Sequence, residues 1–153
     1  MHRWHQRHHH DRHFLPLQNT LQFARQQAVL LNSSITVCPL NAQNHCHANW
    51  HDPISVFEDR NRNRQREPDD TLLQQIPKAP HDSLRHYWRD AIVFDNKGFA
   101  GFTNGTLSHC FQQNNTYSAT VITISRLGRM RIHREYQQNQ PAKNTQGNDI
   151  PCN

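Results

Sequence analysis

The chain has 153 residues, enough for one domain with a modest core, and only 34% of them are hydrophobic. No apolar run is long enough to span a bilayer as a helix, and no secretory leader with an apolar centre is visible. The formal net charge of +5 is concentrated at the ends: residues 1–14 carry +2, residues 15–95 carry −1 and residues 96–153 carry +4. A localised basic surface suits a phosphate polyanion better than a diffuse excess does.

In chain order, the opening MHRWHQRHHHDRHF reads as a disordered tail or tag-like segment, and residues 1–14 are set aside from the fold. Its six histidines offer adventitious metal binding as the alternative. From Leu17, the apolar positions Leu17, Leu21, Ala24, Ala28 and Leu31 recur at steps of three and four, one face of a helix. Pro16 suits its first turn, and Asn32 with Ser33 ends it. Everything that follows reads in short strands: ITVC (35–38), ISVFE (54–58), TLLQQI (71–76), AIVFD (91–95), GFAGF (98–102), GTLSHCF (105–111), YSATVITIS (117–125) and RMRIHREY (129–136). AIVFD and GFAGF flank NKG, a hairpin signal. The polar stretch after Tyr136 has no periodicity. The expected class is α+β, with the helix laid across antiparallel sheet, in a head domain over 15–136 and a C-terminal tail over 137–153.

Four cysteines allow three disulfide pairings. Cys38 and Cys46 bracket the short polar loop CPLNAQNHC, which suits a disulfide in an oxidising compartment. Cys110 and Cys152 would then pair and tether the tail. Zinc is the competing reading, since His45, His47 and His51 crowd Cys46, but no CxxC knuckle is present and no metal site is assigned.

Two basic runs carry candidate chemistry. In EDRNRNRQREPDD (58–70), Asp59, Asn61, Asn63 and Asp70 fall at positions 1, 3, 5 and 12 of a calcium-loop pattern. Arg64 stands where that loop needs glycine, and four arginines repel a divalent ion, so a mobile loop with its charge met by Glu58, Asp59, Glu67, Asp69 and Asp70 is the better reading. The second run, SRLGRMRIHREY (125–136), places Gly128 in a hairpin loop that needs a positive φ. Strand alternation then puts Arg129, Arg131 and His133 on one face, the two guanidiniums about 6.6 Å apart along the strand. Arg126 projects from the loop, and Arg134 and Lys143 lie close by in sequence. Forked donors on a stiff hairpin suit successive phosphates, whereas the plainer role for edge arginines is to discourage strand-on-strand aggregation. Trp50 and Trp88 read as packing residues in preference to base-stacking platforms. No nucleophile elbow, phosphate-cradling glycine loop or carboxylate pair supports catalysis, and no cofactor is implied; the charged loop with Asp69 and Asp70 is all that argues for a nuclease.

Taken in order, LQFARQQAVLLNSSITVCP (21–39), Cys46, Trp50, ISVFEDRNRNR (54–64), IVFDNKGFAGFTNGTLSHC (92–110) and ITISRLGRMRI (122–132) resemble the GspH/FimT family of minor type IV pilins and pseudopilins, over roughly residues 17–133. The resemblance implies a long N-terminal helix, a β-rich head and export to the periplasmic face of a bacterial inner membrane or into a pilus. It also implies other pilins as partners and, for the FimT-like branch with a closing GR-x-R (here Gly128, Arg129 and Arg131), DNA uptake in natural transformation. Such proteins carry a basic leader and an apolar half-helix ahead of the head. This chain shows neither, so it is expected to behave as a soluble head that binds DNA with little sequence preference, the alternative being an assembly subunit of type II secretion or a pilus.

Overall fold

The computed structural model describes residues 2–113 and 116–138, with side chains over 17–112 and 116–135. Its one long helix, α1 (His2–Leu31), buries Leu17, Leu21, Ala24 and Ala28 together with Thr20, the stripe that the three-and-four spacing requires. The helix begins at His2, well ahead of Pro16, over residues expected to form a tail. Residues 2–15 hold no glycine, proline or β-branched side chain, so nothing local opposes that extension. Its other end is a left-handed cap: Asn32 takes φ 51°, Ser33 N–H donates to Ala28 O at 3.1 Å and Asn32 N–H to Val29 O at 3.2 Å. Val29, Leu30 and Leu31 face outward in the last turn, so Leu31 does not extend the buried stripe.

Eight strands follow: β1 (Ile35–Pro39), β2 (Ile54–Glu58), β3 (Leu72–Ile76), β4 (Ser83–His86), β5 (Ile92–Phe94), β6 (Gly105–Gln113), β7 (Thr116–Ile124) and β8 (Met130–Gln138). They form two antiparallel four-stranded sheets, ordered β3-β2-β1-β5 and β4-β6-β7-β8. The helix rests on both, and its stripe joins Ile35, Val37, Ile54 and Val56 of the first sheet to Leu107, Ile122 and Ile124 of the second in one core. The expected α+β class is the architecture found. Behind β1, Cys38, Phe57 and Ala91 make a smaller cluster, and Cys110, Ala119 and Val121 make another on the second sheet.

Two expectations fail locally. The NKG turn forms, with Gly98 N–H donating to Asp95 O at 2.8 Å and Gly98 at φ 79°, but GFAGF is not its return strand. Gly101 takes φ 56° and starts a single 3-10 turn, Gly101–Thr103, which the Thr103 hydroxyl ties to Ala100 O at 2.6 Å. Strand β4 was not expected, because its pattern is inverted: Leu84 is exposed and Arg85 is buried. The Arg85 guanidinium replaces water with four carbonyls, those of Trp50 (2.7 Å), His51 (3.1 Å), Asp52 (3.0 Å) and Pro77 (3.2 Å). Burial lowers its pKa to about 10, so it stays charged at neutral pH.

Candidate nucleic-acid interface

The turn between β7 and β8 is closed by its own backbone. Ser125 N–H donates to Arg129 O and Gly128 N–H to Ser125 O, both at 2.9 Å, and the Ser125 hydroxyl accepts from Arg129 N–H at 3.1 Å. Gly128 sits at φ 81° and so close to the neighbouring loop that an added Cβ would lie 2.0 Å from Gly98 O. Glycine is required there on two counts, backbone angle and space.

The turn is also gripped from the helix. Arg25 donates from Nε to Gly98 O at 3.1 Å and from a terminal nitrogen to Leu127 O at 3.2 Å, while Gly101 N–H donates to Arg126 O at 2.9 Å. Three segments distant in sequence are thereby fixed as one unit. Arg25 was not among the residues picked from sequence for this site. It lies inside the quoted helical motif, but partners 73 and 102 positions away leave no local signal.

The predicted arginines are distributed around this unit. Arg126, Arg129, Arg131 and Arg134 are all exposed. Arg126 lies over the Phe102 ring, 5.2 Å from its centroid. Arg129 precedes the first residue of β8 and lines a groove of about 550 Å³ with Gln22, Arg25, Gln26 and Met130, so two guanidinium-bearing residues border one concavity. Arg131 stands opposite Thr123 on the face pointing away from the helix. Arg134, opposite Thr120, alternates onto the face of Met130 and Ile132. His133 pairs with Glu135 at 3.2 Å. Among the described residues, no carboxylate forms an ion pair with Arg126, Arg129 or Arg131. Lys143 lies outside the described residues.

In the other basic run, three of the four arginines are engaged within the subunit. Arg60 pairs with Glu58 at 2.6 Å and Arg64 with Asp90 at 2.8 Å, while Arg62 donates to Ser34 Oγ at 2.7 Å. Asp59 is buried, accepting from the Thr36 hydroxyl (2.9 Å) and Arg64 N–H (3.0 Å), and Asn61 and Asn63 both donate to Glu67. The loop is therefore cross-linked by hydrogen bonds, and no group of three or more His, Cys, Asp or Glu side chains suited to a metal occurs among the described residues. Hydrogen bonding from Arg60 holds the Glu58 carboxyl below its usual range. Burial raises that of Asp70, assisted by the charges of Asp59, Glu67 and Asp69.

Cys38 and Cys46 are disulfide-bonded, with Cα atoms 5.5 Å apart, which removes both thiols from any zinc site. Cys110 is also disulfide-bonded; Cys152 lies outside the described residues. Trp50 is a core residue as expected, donating from Nε1 to Arg89 O at 2.8 Å and meeting Tyr87 edge to face. Trp88 is not: it is 63% exposed. No helix among the described residues is long and apolar enough to cross a membrane.

Comparison with known proteins agrees with this architecture. The family model described as type II transport protein GspH matches residues 16–128. Two crystal structures of the type IV minor pilin FimU from Pseudomonas aeruginosa are similar in fold at 16% identity. One has a TM-score of 0.55 and covers 83% of this chain and 90% of that one; the other has a TM-score of 0.51 and covers 77% and 87%. Among curated proteins, none matches.

Proposed function

The chain belongs to the GspH family of minor pilins and pseudopilins, and from that membership we propose that its head binds DNA through the β7–β8 hairpin, as a FimT-like subunit serving DNA uptake. Members of this family are structural subunits associated with the pilus and the periplasm, with other pilins as neighbours. The observation that carries the DNA reading is the set of Arg126, Arg129 and Arg131, exposed, without carboxylate partners among the described residues and mounted on a turn that two hydrogen bonds, from Arg25 and from Gly101 N–H, hold to the rest of the head. Phosphates are the natural counterpart of such donors, because guanidinium forks match phosphate oxygens two at a time. Arg25 adds a positive edge to the groove beside Arg129, and Arg134 and Lys143 supplement the field. A β-hairpin and a loop supply the main contacts, which suits binding to the backbone, largely indifferent to sequence.

With about four phosphates neutralised, affinity falls roughly two decades between 50 and 200 mM salt. The test is fluorescence anisotropy of a labelled duplex with the wild-type head and with Arg129→Gln/Arg131→Gln. Weakened binding and a shallower salt slope in the double variant support the proposal. Equal binding removes these two residues from the DNA role, and no binding by the wild type at low salt refutes the function itself. That last outcome favours the second reading, an assembly subunit of type II secretion or a pilus, to which the description of the matching family points.

A further inference from the structure

Two exposed aromatic rings each carry an arginine, and one of those arginines is Arg126 of the hairpin turn. Phe102 is 79% exposed on the 3-10 turn with the Arg126 guanidinium beside it. Trp88 is 63% exposed, with the Arg89 guanidinium 4.0 Å from its ring centroid. Both pairs are anchored to the same four residues, 101–104: Arg126 O accepts from Gly101 N–H, and Arg89 Nε donates to Asn104 O at 2.8 Å. Tyr87, next to Trp88, donates its hydroxyl to Thr103 O from within the core. Phe102 thus stands on a segment to which the Arg126 backbone, the Arg89 side chain and the Tyr87 hydroxyl are all tied.

Water-facing rings of this size are the exception in a domain that buries Trp50, Tyr87, Phe57 and Phe94 almost completely. A protein partner would cover them with apolar surface, but it would then have to desolvate a cation at each ring. The acidic groups nearby are already engaged: Asp90 holds Arg64, and Asp95 accepts from Lys97 and Phe99 N–H. Planar bases meet the rings face to face, and the phosphates joining them meet the guanidiniums; one polymer offers both chemistries in alternation. A duplex keeps its bases stacked on one another and cannot present their faces.

We propose that this surface, Phe102 with Arg126 and Trp88 with Arg89, takes single-stranded DNA, with bases stacked on the two rings. The proposal rests on the DNA reading above and deepens it by naming the strand state. Single strands then bind more tightly than a duplex of equal length. Phe102→Ala and Trp88→Ala each weaken single-strand binding roughly tenfold, leaving duplex binding by Arg129 and Arg131 within about twofold.

The experiment is anisotropy with a labelled oligothymidylate and a labelled duplex of the same length. It uses the full chain, the two alanine variants and Arg129→Gln/Arg131→Gln, with melting curves confirming that each variant is folded. Trp fluorescence supplies a second readout, because oligothymidylate quenches the exposed Trp88 and this quenching disappears in Trp88→Ala. If both DNA forms bind equally and neither alanine variant changes affinity, the stacking proposal is overturned while the hairpin function stands. If duplex binds and the single strand does not, the result is the same. If neither DNA binds, both fall, and the exposed rings belong to a protein contact.

Discussion

Two glycines near the hairpin supply a controlled experiment on what fixes the arginines in place. Gly128 and Gly101 both have left-handed backbones, φ 81° and φ 56°, so alanine at either position costs about 1 kcal/mol of conformational strain. They differ in the space available. A Cβ on Gly101 meets nothing within 4 Å, whereas a Cβ on Gly128 lies 2.0 Å from Gly98 O, a backbone atom that cannot swing aside. Relief requires the turn to withdraw by more than 1 Å from its seat, on the scale of about 3.5 Å for an ordinary contact. That movement breaks the bonds that end on the turn, from Arg25 to Leu127 O and from Gly101 N–H to Arg126 O, now 3.2 and 2.9 Å. The first is charge-assisted but exposed and the second joins two backbones, about 1 kcal/mol each, so the displacement adds about 2 kcal/mol. Gly128→Ala should therefore destabilise the domain by about 3 kcal/mol, a melting-temperature loss of roughly 6–12 °C, against roughly 2–4 °C for Gly101→Ala. Thermal unfolding followed by circular dichroism measures both. Measured well below both midpoints, duplex affinity should drop for Gly128→Ala and hold for Gly101→Ala. Equal melting of the two variants would show that the turn is not seated as described.

Arg85→Met strands one buried and three part-buried carbonyl acceptors and should lower stability by about 2–3 kcal/mol, with Arg85→Lys recovering only part because an ammonium cannot fork across separate carbonyls; denaturant titration measures it. Asp70 is penalised in the folded state at neutral pH, because burial and neighbouring carboxylates raise its pKa; the penalty is present above the folded pKa and vanishes below the unfolded one. Asp70→Asn should thus raise the melting temperature at neutral pH and lose that advantage in acid, and an advantage that grows in acid would contradict the cause assigned. For the remaining cysteines we propose a Cys110–Cys152 bond: non-reducing peptide mapping should recover the two peptides joined, and recovery of Cys110 with any other cysteine refutes it.

The helix face from Leu17 to Ala28 and most strands were legible because apolar spacing is a local property that the fold preserves. Strand β4 was hidden because Arg85 occupies an inward position and Leu84 an outward one, which reverses the usual pattern; only the four carbonyls around the guanidinium explain the exchange. GFAGF looked extended because its alternation is that of a strand, yet Gly101 turns left-handed and Thr103 closes a 3-10 turn instead. The turn and the presence of exposed arginines on it could be read from sequence, but the common face expected for Arg129 and Arg131 could not: Arg129 precedes β8 and borders the groove beside the helix, while Arg131 points away from the helix. Nor could their support be read: Arg25, Gly98 and Gly128 meet only after the chain has folded. Trp88 departs from the burial that a tryptophan's size predicts, and nothing local signals that the neighbouring Arg89 lies over its ring.

The grip of Arg25 on the turn has a mechanical consequence. The guanidinium is rooted in the long helix and clasps two carbonyls of separate loops, so force applied at the hairpin tip is delivered to the helical rod and not absorbed by a slack connector. A pull on the turn would therefore load the helix directly, before the two loops that Arg25 joins could be drawn apart.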